Sequence, residues 1–246
     1  MAHKSKDIFT LLREKIAPGR HKIYIQLMKA RDDWRWRQLY HDKKRQWTVK
    51  SQKLDVDKHI ELGSDLATAQ FVIGVCGGKI LDDRGVWIER KKDLPPAYMK
   101  SFKLIAIDAS RTNLMTEGTD NFADLQHLRS LDLSRSHNLD DFSCDQISRR
   151  FMKSKTLETI DLSYNERISI NGLNVLFRIP TLKCIRAINS GATRHQDIDL
   201  FTLAAEEERG CQVFVHENGR QFLLDELEEL RFSHEIPRLE SGLPGK

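Results

Sequence analysis

Four copies of one short pattern restrict this chain more than any other feature. The clearest two read Leu128-Arg-Ser-Leu131-Asp132-Leu133-Ser134 and Leu157-Glu-Thr-Ile160-Asp161-Leu162-Ser163. A fainter copy, Leu104-Ile-Ala-Ile107-Asp108-Ala109-Ser110, comes before them, and a degraded one, Leu182-Lys-Cys-Ile185-Arg186-Ala187, follows. The leading leucines lie 24, 29 and 25 residues apart. A unit of that length holds one strand and one return segment, and it cannot bury its own apolar face. The copies must therefore stack, and the stack folds as a unit.

The L-x-x-L-x-L core at this period is the signature of leucine-rich repeats. The expected fold class is α/β, a short leucine-rich-repeat solenoid of parallel strands and convex helices preceded by a mainly helical N-terminal module. The helical returns are expected over Phe122 to Leu128, Phe142 to Phe151, Gly172 to Ile179 and Ile198 to Ala205. Val213 and Val215, 28 residues beyond Ile185, supply a fifth, terminal strand. Asn165 takes the asparagine position in the turn that follows the second strong copy. Alternation points the leucine-type residues inward and the residues between them outward. Asp108, Asp132 and Asp161 therefore line up in successive repeats, followed by Arg186. Either each carboxylate bonds the serine ladder beside it (Ser110, Ser134, Ser163), or the row is an acidic stripe on the concave face, where solenoids meet partners.

Charge is unevenly placed. Arg20 to Lys58 holds 12 Lys/Arg against 5 Asp/Glu, a net of +7, and Glu206 to Glu240 holds 10 acidic against 4 basic residues, a net of −6. Apolar residues at helical spacing predict a helix between His21 and Trp47. Its tryptophans Trp34, Trp36 and Trp47 stand among Arg31, Arg35, Arg37, Lys43, Lys44 and Arg45. Stacking aromatics among cations are one way to bind RNA. Asp32, Asp33 and Asp42 dilute the run and no ribonucleoprotein signature is present, so tryptophans packed inward or set against a protein partner are the expectation. The first twenty residues are basic and amphipathic, a partial match to a mitochondrial presequence.

Ser64 reads as the N-cap of a helix that closes at Gly77-Gly78. Gly74-Val-Cys-Gly77-Gly78-Lys79-Ile80 is not a phosphate-binding loop. Only three residues separate Gly74 from Gly78-Lys79, no Ser or Thr follows, and the glycines end a helix, the wrong polarity for phosphate. Ile80-Leu81 and Val86 to Ile88 read as short strands around a turn at Asp82 to Gly85. Leu94-Pro95-Pro96 breaks the pattern and sets a module boundary. Four segments follow: a basic N-terminal segment, 1–20; a helical basic module, 21–96; the repeat domain, 97–216; and an acidic capping helix with a disordered tail, 217–246.

Neither catalysis nor a metal centre is expected. The nine histidines show no ligand spacing, no G-x-S-x-G is present, and Asp140-Asp141 is explained as a helix cap. Cys76, Cys144, Cys184 and Cys211 form no C-x-x-C pair and read as reduced, mostly buried thiols. No cofactor is implied, and no apolar run is long enough to cross a membrane.

Several strings in order resemble one family, mitochondrial ATP synthase subunit s (coupling factor B) and the distal membrane-arm assembly protein of respiratory complex I. They are the basic helical region from Leu39-Tyr40-His41 to Trp47, the helix running into Cys76-Gly77-Gly78, and Trp87-Ile88. Ile107-Asp108-Ala109-Ser110 leading to Gly118, then Leu139-Asp140-Asp141, and Arg167-Ile168 to Gly172-Leu173 complete the set. The resemblance covers roughly residues 22 to 215 and lies closer to the complex I branch. It implies a non-catalytic mitochondrial assembly factor on the matrix side of the inner membrane, with inner-membrane respiratory subunits as partners and peripheral membrane association. The candidate partner-binding residues are Asp108, Asp132, Asp161 and Arg186, with Trp34, Arg35, Arg37, Lys43, Lys44 and Arg45. A coupling factor of ATP synthase is the alternative within the family. A substrate adaptor for ubiquitin ligation is a weaker one, because no three-helix box fits between Leu94 and the first repeat strand. Nucleic acid is not an expected partner.

Overall fold

The computed structural model describes residues 34–216. The chain divides into two compact units, Met1–Lys50 and Ser51–Lys246. The presequence-like start and the acidic tail from 217 lie outside the described residues.

The described part of the first unit belongs to helix α1 (Trp34–Gln52), whose last two residues belong to the second unit. The second unit opens with α2 (Val56–Leu62), which Asp55 caps by accepting from the Lys58 backbone N–H at 3.2 Å. Helix α3 (Ser64–Phe71) follows directly, capped at Gly63 and not at the expected Ser64, which is its first residue. It continues as a π-helical turn, Val72–Cys76, and ends at Gly77 in the left-handed conformation (φ 78°). The paired glycines thus close a helix.

Strands β1 (Lys79–Asp82) and β2 (Trp87–Ile88) form the hairpin read from the sequence. Its turn is held by the buried Asp82 carboxylate, which accepts the backbone N–H groups of Arg84 and Val86 and the Arg84 guanidinium.

The repeats contribute β3 (Leu104–Asp108), β4 (Ser130–Asp132), β5 (Thr159–Asp161), β6 (Cys184–Arg186) and β7 (Gln212–Phe214). All seven strands form one sheet in the order β2-β1-β3-β4-β5-β6-β7. From β4 onward each strand is parallel to the one before it. Strand β1 pairs antiparallel with β3, so the expected boundary between 96 and 97 falls inside a continuous sheet.

The returns between strands differ in kind. Helices α4 (Asp141–Phe151), α5 (Ile170–Leu176) and α6 (Ile198–Arg209) stand close to where the apolar spacing places them. The first return departs from expectation. It is a 3₁₀ segment over Thr116–Phe122 followed by turns, not a helix over 122–128. Gly118 and buried Asn121 fix it there, since a Cβ on Gly118 would stand 2.6 Å from Gln52 Oε1 and 2.7 Å from Leu114 Cδ1. Helix α4 starts in a capping box of Asp140 and Ser143, as the paired carboxylates imply.

One core runs along the stack. Leu104, Leu128, Leu131, Leu133, Leu157, Ile160, Leu162 and Ile185 are fully buried or nearly so, and belong to a single apolar cluster. Removing each such side chain from water contributes about 1.5–3 kcal/mol. Gln52, only 2% exposed, ties the start of the second unit to this core. Its Oε1 accepts the Met115 N–H at 2.7 Å and its Nε2 donates to the Asn113 carbonyl at 2.7 Å.

Candidate functional site

The strand register sets Lys79, Asp108, Asp132, Asp161, Arg186 and Phe214 side by side across six strands. Adjacent strands lie about 4.8 Å apart, so the three carboxylates are close neighbours. Each turns back onto its own chain. Oδ1 of Asp108, Asp132 and Asp161 accepts the backbone N–H two residues on, from Ser110, Ser134 and Ser163, at 3.0, 2.8 and 2.8 Å. The serine ladder is used through its amides, an Asx turn repeated three times.

Both ends of the row carry a cation. Lys79 Nζ stands 3.4 Å from Asp108 Oδ2, and Arg186 Nη1 stands 3.4 Å from Asp161 Oδ2. Lys79 also lies over the Trp87 ring, 5.1 Å from its centroid. Arg186 is 9% exposed, and its Nε has no hydrogen-bond partner. The central carboxylate, Asp132, has no cation beside it. Burial first, then the Asp161 charge, push its pKa up to about 6, against the opposing pull of its bonds to Ser134. The row the sequence lined up, three aspartates followed by Arg186, is thus three adjacent carboxylates closed by a cation at each end, with a raised pKa at the centre.

Three residues beyond Asp108, Asp132, Asp161 and Arg186 lies a second row that sequence reasoning missed. Arg111, Arg135, Tyr164 and Asn189 all adopt left-handed backbone, with φ of 55°, 58°, 62° and 51°. Only the asparagine is at ease there, and each of the others costs on the order of 1 kcal/mol. The main chain pins them. Arg111 N–H donates to the Ser134 carbonyl, Arg135 N–H to Ser163 and Tyr164 N–H to Ile188, at 2.9, 2.8 and 2.7 Å. The Arg135 guanidinium lies over the Tyr164 ring, 4.2 Å from its centroid.

These residues wall an open cleft of about 740 Å³ with Ser190 and Arg194. Three guanidiniums face one carboxylate, that of Glu166, in this cleft. Ser190, 2% exposed, has a buried Oγ with no hydrogen-bond partner. The spacing of three residues after the aspartate row was the available signal. It is invisible without knowing that the turn repeats.

Of the basic helical residues, Lys43, Lys44 and Arg45 are exposed on α1. Trp34, Arg35 and Arg37 belong to the first turn of α1. Trp47 is 78% exposed, so of the two settings expected for it, packed inward or set against a partner, it does not have the first.

The cysteines are free thiols, Cys144, Cys184 and Cys211 buried and Cys76 partly so. Burial raises the pKa of Cys76 to about 12 and of Cys211 to about 11, which removes their thiolate reactivity at neutral pH. Among the described residues no group of three or more His, Cys, Asp or Glu is placed to hold a metal ion, and no helix is long and apolar enough to cross a membrane.

No family model matches the chain. It is 31% identical over 156 residues to distal membrane arm assembly component 2 of Drosophila melanogaster, a match covering 61% of this chain and 53% of that protein. The chain thus spans about half the length of that relative. It is 25% identical over 159 residues to the mitochondrial ATP synthase subunit s of Rattus norvegicus, covering 60% of this chain and 79% of that one. The human subunit s is 24% identical over 132 residues, 53% of this chain and 66% of the human protein. Among solved structures, actin-binding site 2 of leiomodin-1 aligns at 15% identity with a TM-score of 0.39, covering 52% of this chain and 80% of that one. The tropomodulin C-terminal domain of Caenorhabditis elegans aligns at 13% with a TM-score of 0.35, covering 48% and 75%. In sequence the chain is thus similar to distal membrane arm assembly component 2 and to ATP synthase subunit s, the proteins its motifs resemble.

Proposed function

We propose that the chain is a non-catalytic mitochondrial assembly factor that binds protein subunits while the distal membrane arm of complex I is built. The observation that carries this reading is the 31% identity to distal membrane arm assembly component 2, over more than half of this chain. The stacked parallel strands are read as a short leucine-rich-repeat solenoid, an architecture that presents an extended strand face to partners. On that face the row Asp108, Asp132, Asp161 and Arg186 is the partner contact. Exposed Trp47 with Lys43, Lys44 and Arg45, and the first turn of α1 with Trp34, Arg35 and Arg37, form the second. The site of action is the matrix side of the inner membrane, with peripheral membrane association.

Coverage of 79% of the rat subunit s favours a second reading, a coupling factor of ATP synthase. Depletion of the protein separates the two. Loss of assembled complex I with ATP synthase intact supports the first reading, and the reverse supports the second.

A further inference from the structure

We propose that the cleft beyond the strand ends, walled by Arg111, Arg135, Tyr164 and Arg194, takes an extended acidic segment of a partner protein. Three observations converge on it. The cleft gathers three guanidiniums against one carboxylate, and none of the three forms an ion pair with a described residue. Ser190 is a lining residue of the same cleft, and its buried hydroxyl has no hydrogen-bond partner, a polar group left open at the floor of a cationic cleft. The Arg135 guanidinium is already ordered over the Tyr164 ring, so less of its freedom is lost when it pairs.

Shape decides the class of ligand. The lining residues come one after another from four successive repeats, Arg111, Arg135, Tyr164 and Asn189 each following a neighbouring strand. At about 4.8 Å per strand the row is roughly 14 Å long, about four residues of extended chain. A single phosphate needs donors that converge on one point. Donors spread along a line suit a run of side-chain carboxylates, which guanidiniums bind as planar, bidentate pairs. The aspartate row three residues earlier rejects the same segment by like charge and so fixes where it can lie.

The inference rests on the protein-binding reading above, but its test does not depend on which respiratory complex is served. The full chain is titrated against a fluorescein-labelled hexaglutamate peptide by fluorescence anisotropy, with hexalysine, inorganic phosphate and phosphatidylcholine vesicles containing phosphatidylglycerol in parallel. Saturable binding of hexaglutamate, weakened by salt, is expected. The double variant Arg111→Gln/Arg135→Gln should weaken it about tenfold or more. Lys153→Gln/Lys155→Gln, which removes the same charge from exposed positions elsewhere, should change it by less than about twofold. Amide shift mapping on the unaltered chain needs no variant and should place the largest changes at Arg111, Arg135, Tyr164 and Ser190. The proposal fails if hexaglutamate does not bind, if both double variants lose binding equally, or if the shifts lie elsewhere. Binding of phosphate or vesicles in preference to the peptide overturns it as well and gives the cleft to a phosphate ligand. Failure here leaves the assembly role standing, and a failed assembly role leaves the cleft standing.

Discussion

Nη1 of Arg186 lies 3.4 Å from Oδ2 of Asp161, and this contact closes one end of a row of three carboxylates. Both side chains are largely buried, so neither charge is well solvated alone. Arg186→Met leaves Asp161 uncompensated and is expected to cost about 3 kcal/mol of stability. Asp161→Asn in the same background should recover part of that loss, because the buried charge goes with it. Chemical denaturation of the single and double variants measures the coupling, and strictly additive effects would remove the pair from the account.

The middle of the row behaves in the opposite sense. Asp132 has a folded-state pKa raised to about 6 from 3.8, so the folded protein holds its proton more tightly than the unfolded chain. The penalty is absent below the unfolded value, grows as pH rises between the two values, and is fully present above about 6. Asp132→Asn keeps an acceptor for the Ser134 N–H and removes the charge. It should raise stability by roughly 1–2 kcal/mol at pH 7.5 and by far less at pH 4.5. Thermal melts at the two pH values check this, and a gain equal at both would contradict the assigned cause.

Gln52 holds the start of the second unit through two bonds of 2.7 Å to main-chain atoms around Asn113 and Met115. Gln52→Leu strands the buried Met115 N–H, at a cost of about 1–3 kcal/mol, while the Asn113 carbonyl, on an exposed residue, can turn to water. Gly118→Ala drives a methyl toward the same glutamine, so it should destabilise too, and the two effects should fall short of additive. Additivity would separate the two sites.

Trp47 is 78% exposed, and its loss has little packing to remove. Trp47→Ala, alone or with Lys43→Glu and Lys44→Glu, is expected to leave the melting temperature within about 2 °C of the unaltered protein. Association with the respiratory partner should fall at least about tenfold. Retained association, measured by pull-down with the purified subunit, would take the helix out of the binding surface.

The strand positions were legible because burial at two fixed offsets leaves its mark on residue type. Leu131, Leu133, Ile160 and Leu162 name both the strands and the register that aligns Asp132 with Asp161. The hairpin of β1 and β2 was legible from its Asp-Asp-Arg-Gly turn, whereas its membership of the repeat sheet was not. Pairing of Ile80 with Ile107 is a contact between distant segments that share no pattern. The first return was misread for a related reason. Phe122, Leu125 and Leu128 are spaced as a helix face would be, but Asn121 bonds the Gln52 and Gly118 carbonyls and holds a tighter turn. The left-handed row was hidden because arginine and tyrosine are unusual there, and it is main-chain hydrogen bonds to the next repeat that place Arg111, Arg135 and Tyr164 in it. The cations that end the acidic row were half legible. Arg186 follows in the repeat, while Lys79 arrives through the antiparallel strand.

The proposed role, assembly of the complex I membrane arm through protein contacts, predicts what the chain travels with. Native-gel separation of crosslinked mitochondria, with mass spectrometry of each slice, tests it most directly. The tagged chain should migrate with membrane-arm intermediates of complex I, and Trp47→Ala with Lys43→Glu and Lys44→Glu, all at exposed positions, should move it to the monomer position without unfolding it. Migration with ATP synthase alone, or with neither complex, would contradict the account.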